Sequence, residues 1–160
     1  MVTHISHSPA ETEALGEAWG RAAENGLVIG LSGGLGAGKT QLVRGLARGL
    51  DIAARVHSPT FALVNVYSGG RLALFHLDWY RLNGRPEIIA AGLEEYLAPA
   101  GVAVIEWADR WFATPENAAQ PGESGIERSE LLTFAPRFRW AKIEVLSETG
   151  RRISHEDFGA

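Results

Sequence analysis

Two stretches of the chain are apolar at nearly every position, Leu27-Val28-Ile29-Gly30-Leu31 and Val102-Ala103-Val104-Ile105. Uninterrupted runs of this length predict strands buried on both faces, as in the parallel centre of an α/β sheet. Between and around them the period changes. Ser8-Pro9-Ala10-Glu11 reads as a capping box with proline at the first helical position, and Leu15, Ala18, Trp19 and Ala22 then recur at helical spacing until Gly26. A second helix is predicted from Thr40 to about Leu50, with Leu42, Val43, Leu46 and Leu50 as its inner stripe.

The middle of the chain is β-rich. Ala62 to Tyr67 and Leu72 to Leu77 flank Ser68-Gly69-Gly70-Arg71, the composition of a hairpin. A further helix is expected from about Pro86, carrying Ile88, Ile89 and later Leu93, with Gly92 interrupting it. Residues 114–127 hold Pro115, Pro121, Gly122 and Gly125 among polar residues, which predicts a mobile loop. Two closing strands, Leu131 to Phe134 and Trp140 to Leu146, are expected to pair. The sum is a small α/β fold, a mixed sheet with a parallel centre, antiparallel hairpins and helices on both faces, forming one domain over residues 1–160.

Composition narrows the chemistry. The chain of 160 residues contains no cysteine, which excludes disulfides, zinc–thiolate sites, iron–sulfur clusters and a cysteine nucleophile. A net charge of -4 argues against free-standing nucleic-acid binding through a broad basic face. No run approaches a membrane span and the N-terminus lacks a signal pattern, so a cytoplasmic location is expected.

Gly33-Gly34-Leu35-Gly36-Ala37-Gly38-Lys39-Thr40 satisfies G-x-x-x-x-G-K-[ST]. Glycines allow consecutive backbone N–H groups to converge on phosphate oxygens, and the helix that follows presents its positive end to the same charge. Lys39 is placed to reach the β- and γ-phosphates and the Thr40 hydroxyl to ligate Mg²⁺. The loop follows a buried strand and opens an amphipathic helix, the context the motif needs. Neither of the two lysines, Lys39 and Lys142, sits in an N-K-x-D setting, so ATP is favoured over GTP. A nicotinamide cofactor is disfavoured because the loop does not follow the G-x-G-x-x-G order.

A site of this kind needs an acid at the C-terminal end of an apolar strand, and two positions fit: Glu106 after Val102 to Ile105, and Asp78 after Leu74 to Leu77. Each alone is as easily a solvated strand cap. Ser58-Pro59-Thr60 occupies the place where switch-type hydrolases put a hydroxyl against Mg²⁺ or the γ-phosphate, although a Ser-Pro turn is the simpler reading. The five histidines show no ligand spacing and are assigned surface or structural roles.

Four segments then occur in a familiar order: Gly36-Ala37-Gly38-Lys39-Thr40, Ser58-Pro59-Thr60-Phe61, His76-Leu77-Asp78-Trp79-Tyr80-Arg81 and Ile105-Glu106-Trp107. With Arg44-Gly45-Leu46 and Gly92-Leu93-Glu94-Glu95-Tyr96, this resembles the TsaE family, also called YjeE. The resemblance covers roughly Thr12 to Trp107 well and the C-terminal strands loosely. It implies a Mg²⁺-dependent ATPase of tRNA threonylcarbamoyladenosine modification, slow without its partners TsaD and TsaB, whose hydrolysis resets that complex and which meets tRNA through it. By motif it implies phosphate binding by Gly34, Leu35, Gly36, Ala37, Gly38, Lys39 and Thr40, and Mg²⁺ held by Thr40 and Glu106. Asp78 is implied as an essential acid, Thr60 as the switch hydroxyl, Trp107 as part of the functional surface, and Thr12 and Arg139 as residues near the nucleotide. Gly34 stands where the family is usually acidic, and Ala108 replaces a common proline. The alternative reading is a small-molecule P-loop kinase using Asp78 and Arg81 to grip a hydroxyl substrate.

Overall fold

In the computed structural model the described residues are 1–34, 36–57, 59, 63–82, 85–108 and 135–159. Their strands form one seven-stranded sheet in the order β1-β7-β6-β2-β5-β4-β3. The strands are β1 (Val2–Ser6), β2 (Leu27–Ser32), β3 (Val64–Tyr67), β4 (Leu74–Asp78), β5 (Val102–Glu106), β6 (Arg137–Val145) and β7 (Arg151–Gly159). Strands β6, β2, β5 and β4 run parallel, while β3 joins one edge and β7 with β1 the other in antiparallel sense. The two apolar runs are therefore the adjacent central strands β2 and β5, and every residue of β5 is buried.

Helices cover both faces. α1 (Pro9–Ala22) and α2 (Lys39–Gly49) lie on the face that collects Ile29, Leu31, Val104 and Ile143. The other face collects Val28, Ile105 and Phe138 beneath α3 (Arg85–Ala90) and a 3₁₀ helix over Leu93–Leu97, which contribute Ile88, Leu93 and Leu97. Gly92 adopts φ 72° and separates these two short helices, in line with the interruption expected there.

The stripe expected on α2 is buried in full, but that on α1 is not. The buried residues of α1 are Thr12, Gly16, Trp19 and Gly20, whereas Ala18 and Ala22 face solvent. The reason is the approach of the two helices. A Cβ on Gly16 would collide with the carbonyl oxygen of Leu42, one on Gly20 with that of Leu46, one on Gly45 with that of Glu13, and one on Gly49 with that of Glu17. Glycines four residues apart on both helices bring backbone against backbone, a contact that hydrophobic periodicity does not register. The N-terminus of α1 is capped as expected, with Ser8 Oγ accepting from the Glu11 amide at 3.1 Å. Glu11 reaches back one residue further than a capping box requires, to the His7 amide at 2.7 Å.

The C-terminal pairing differs from expectation. Leu131 to Phe134 lies outside the described residues, as does the loop 114–127. The strand predicted at Trp140 to Leu146 is β6, and its antiparallel partner is β7. β7 is half-exposed and rich in charge, and only Ile153 along it is buried, so it lacks a two-fold apolar signal. Strand β1 pairs only with β7 at the sheet edge and was equally silent. No helix among the described residues is long and apolar enough to cross a membrane.

Candidate nucleotide-phosphate site

β2 ends at Ser32 and α2 begins at Lys39, so the glycine-rich loop joins a central strand to a helix at the carboxyl edge of the parallel strands. Open α/β sheets bind ligands at this edge. Gly36 and Gly38 take φ 76° and 98°, values that an L side chain strains to adopt. Gly38 is also the N-cap of α2 and offers no side chain to it, which leaves the first amides of the helix directed at the loop's concavity. A Cβ at Gly34 would meet nothing within 4 Å.

Lys39 is buried, and its Nζ donates to the carbonyl oxygens of Gly33 at 2.7 Å and Gly34 at 3.0 Å. A cleft of about 310 Å³ joins the loop residues Gly36, Ala37, Gly38, Lys39 and Thr40 to Asp78, Glu106 and Trp107. The two acids are register partners at the ends of β4 and β5. Alternation along these strands puts His76 and Asp78, with Val104 and Glu106, on the face toward α2. Burial pushes the Asp78 carboxyl above its ordinary value; the Tyr80 amide, donating to Oδ1 at 2.9 Å, opposes this and the Glu106 charge adds to it. Trp107 has φ 60°, left-handed for a non-glycine residue, and that turn sets its ring over Lys39, 4.2 Å from Nζ to the ring centre.

A second hollow, about 200 Å³, shares Gly38 and Gln41 with the cleft and is closed by Thr12, Thr149 and Arg151. Thr12 is buried, with its hydroxyl 2.7 Å from Ser6 Oγ. Leu35 and Thr60, both expected at the site, lie outside the described residues.

Arg139 is placed elsewhere. It pairs in register with Ile29, mid-strand, is held by two hydrogen bonds to Asp157 at 2.6 and 2.8 Å, and lies over the Trp19 ring. The basic residue of the C-terminal hairpin that touches the loop is Arg151, donating to Ala37 O at 3.0 Å and Gly36 O at 3.3 Å. Arg151 was missed because β7 itself was missed. His76 was also missed: it is fully buried, with Nε2 2.5 Å from Glu106 Oε2. Its position two residues before Asp78 was the available signal.

Comparison with known proteins places relatives beside the chain. The family model described as "Threonylcarbamoyl adenosine biosynthesis protein TsaE" matches residues 6–129. A Treponema pallidum protein named tRNA threonylcarbamoyladenosine biosynthesis protein TsaE is 45% identical over 106 residues, spanning 66% of this chain and 78% of that one. A Nostoc protein of the same name is 40% identical over 129 residues, spanning 75% and 78%. The crystal structure of Bacillus subtilis YdiB matches with a TM-score of 0.69 and 27% identity, over 99% of this chain and 86% of that one.

Proposed function

Because the chain belongs to the TsaE family of threonylcarbamoyl adenosine biosynthesis proteins, we propose that it is the ATP-hydrolysing subunit of that tRNA modification. The observation that carries the reading is one cleft that joins Lys39, Thr40, Asp78 and Glu106 to the uncapped N-terminus of α2. Positive helix end, backbone amides and a buried ammonium suit a polyphosphate, and two carboxylates opposite suit its counter-ion and a water.

The donor set fits Mg²⁺. Thr40 and Glu106 offer oxygen only, and the described residues hold no cluster of three or more His, Cys, Asp or Glu that could chelate a metal by themselves. Mg²⁺ is commonly held by one or two protein oxygens with substrate phosphates and water completing the shell. When bound, the ion neutralises charge on the β- and γ-phosphates. The chain's own residues do the rest. The loop amides and Lys39 fix the phosphates, and Asp78, pinned by the Tyr80 amide, presents its second oxygen to orient the attacking water. Thr60 serves as the switch hydroxyl on the motif alone.

In this reading the protein works in the cytoplasm with TsaD and TsaB, reaches tRNA through them, and turns over slowly by itself. Family membership sets aside the small-molecule kinase alternative. Phosphate release from ATP, measured for the chain alone and then with TsaD and TsaB, tests the proposal, with Lys39→Ala as blank. Stimulation by the partners is expected. No release above the blank in either setting would overturn it.

A further inference from the structure

His76 is the most deeply buried polar side chain beside the cleft, with no accessible surface, yet it lies on the carboxylate face and does not line the cleft itself. Its Nε2 meets Glu106 Oε2 at 2.5 Å, while its Nδ1 has no hydrogen-bond partner among the described residues. Buried polar atoms are almost always satisfied, and one left over calls for an explanation. Here the one hydrogen bond of the imidazole goes to a single oxygen of Glu106.

The register shows why this contact works. Glu106 stands opposite Asp78, and His76 stands opposite Val104, so His76 reaches Glu106 diagonally from the middle of β4. With its hydrogen on Nε2, the ring donates to Glu106 Oε2. That bond restrains the torsion of the carboxylate of Glu106, a residue that lines the cleft.

We propose that His76 is a positioning residue, which holds the Glu106 carboxylate in the orientation that ligates a divalent cation beside the phosphate loop. The proposal rests on the ATP-hydrolysing reading above. It assigns a role to a side chain that touches neither nucleotide nor cation, and outer partners of this kind commonly change metal affinity by about 10- to 100-fold.

The test uses the full chain with Mn²⁺ as a spectroscopic probe and a fluorescent ADP analogue. Binding of the analogue to wild-type protein in EDTA is measured first. Failure there overturns the nucleotide reading itself, before any His76 variant is made. His76→Leu fills the volume without a donor, and His76→Gln restores an N–H at a similar reach. In His76→Leu the Mn²⁺ concentration for half-saturation of the ADP complex is expected to rise about 10- to 100-fold with metal-free ADP affinity unchanged. His76→Gln is expected to return within a few-fold of wild type, a rescue that a purely space-filling role does not produce. Wild-type Mn²⁺ affinity in folded His76→Leu overturns the proposal, as does a folded His76→Gln with more than tenfold weaker affinity than wild type. Should His76→Leu not fold, the His76→Gln measurement alone decides.

Discussion

The ammonium of Lys39 lies 4.2 Å from the centre of the Trp107 ring and is also held by the carbonyl oxygens of Gly33 and Gly34. The cation of the phosphate loop and the residue following Glu106 are thus in direct contact. Nothing in the linear spacing of the two motifs announced this.

Lys39→Ala is expected to weaken ATP binding by about 10- to 100-fold, the size of a charge-assisted hydrogen bond of about 1.5–3 kcal/mol. Trp107→Ala removes a cation–π contact of about 0.5–2 kcal/mol and is expected to weaken binding severalfold. Trp107→Phe should lie between wild type and Ala. Titration calorimetry with ADP checks the ranking; unchanged affinity in Lys39→Ala would refute the phosphate-loop assignment.

Asp78 carries a stability cost that comes from its burial. Burial holds its carboxyl above the ordinary value of 3.8, so the folded state binds its proton more tightly than the unfolded chain does. Stability from this group is complete below 3.8 and is lost as pH rises through the folded value. Asp78→Asn should therefore melt higher than wild type at pH 7, with the difference vanishing as the pH falls toward 3.8. Turnover should fall by about 10²- to 10⁴-fold if the carboxylate orients the water. Thermal melts across pH, with phosphate release at pH 7, separate the two effects. A lower melting point at neutral pH would contradict the burial argument.

Gly45→Ala reverses the usual sign of a helical glycine substitution. In an open helix interior the change gains about 1 kcal/mol from propensity. On α2 the new methyl would strike the Glu13 carbonyl, and overpacking of this kind costs about 1–3 kcal/mol. A lower melting point is expected. Because α2 begins at Lys39 and includes Thr40, displacement of the helix should weaken ADP binding as well. Equal or higher stability would show that α1 and α2 can separate freely.

The parts of this structure visible in the sequence are those with a local physical signature. β2 and β5 are buried on both faces and wrote unbroken apolar runs. The loop between β2 and α2 wrote a motif whose residues are each demanded by phosphate. What escaped depended on contacts across the fold. Gly16 and Gly20 are core residues by backbone approach, which no hydropathy pattern encodes. β7 is a half-exposed strand with neighbouring like charges and one buried apolar residue, and with it went Arg151. His76 resembled any isolated histidine until the β4–β5 register set it against Glu106. Arg139 shows the converse: a basic residue on the expected hairpin, facing α1 in place of the loop.

That placement separates the two arginines experimentally. Arg151 braces the loop through Ala37 O and Gly36 O and is tied to its own turn through Ser147 O and Gly150 O at 2.9 and 2.8 Å. Arg151→Met leaves two loop carbonyls without this donor and should lower ADP affinity about tenfold, equivalent to about 1.4 kcal/mol. Arg139→Met instead breaks the pair with Asp157 and the contact with Trp19. It should lower the melting point modestly and leave ADP affinity within about twofold of wild type, as expected of a partly exposed pair. The hydrogen bond from Arg139 is the main cause holding the Asp157 carboxyl below its ordinary 3.8, so the stability it gives is present above that value and lost as pH falls through the folded one. The melting deficit of Arg139→Met should accordingly shrink in acid. If Arg139→Met lost nucleotide while Arg151→Met kept it, Arg139 would be the hairpin's nucleotide contact, and the side chain would have to leave Asp157 to make it.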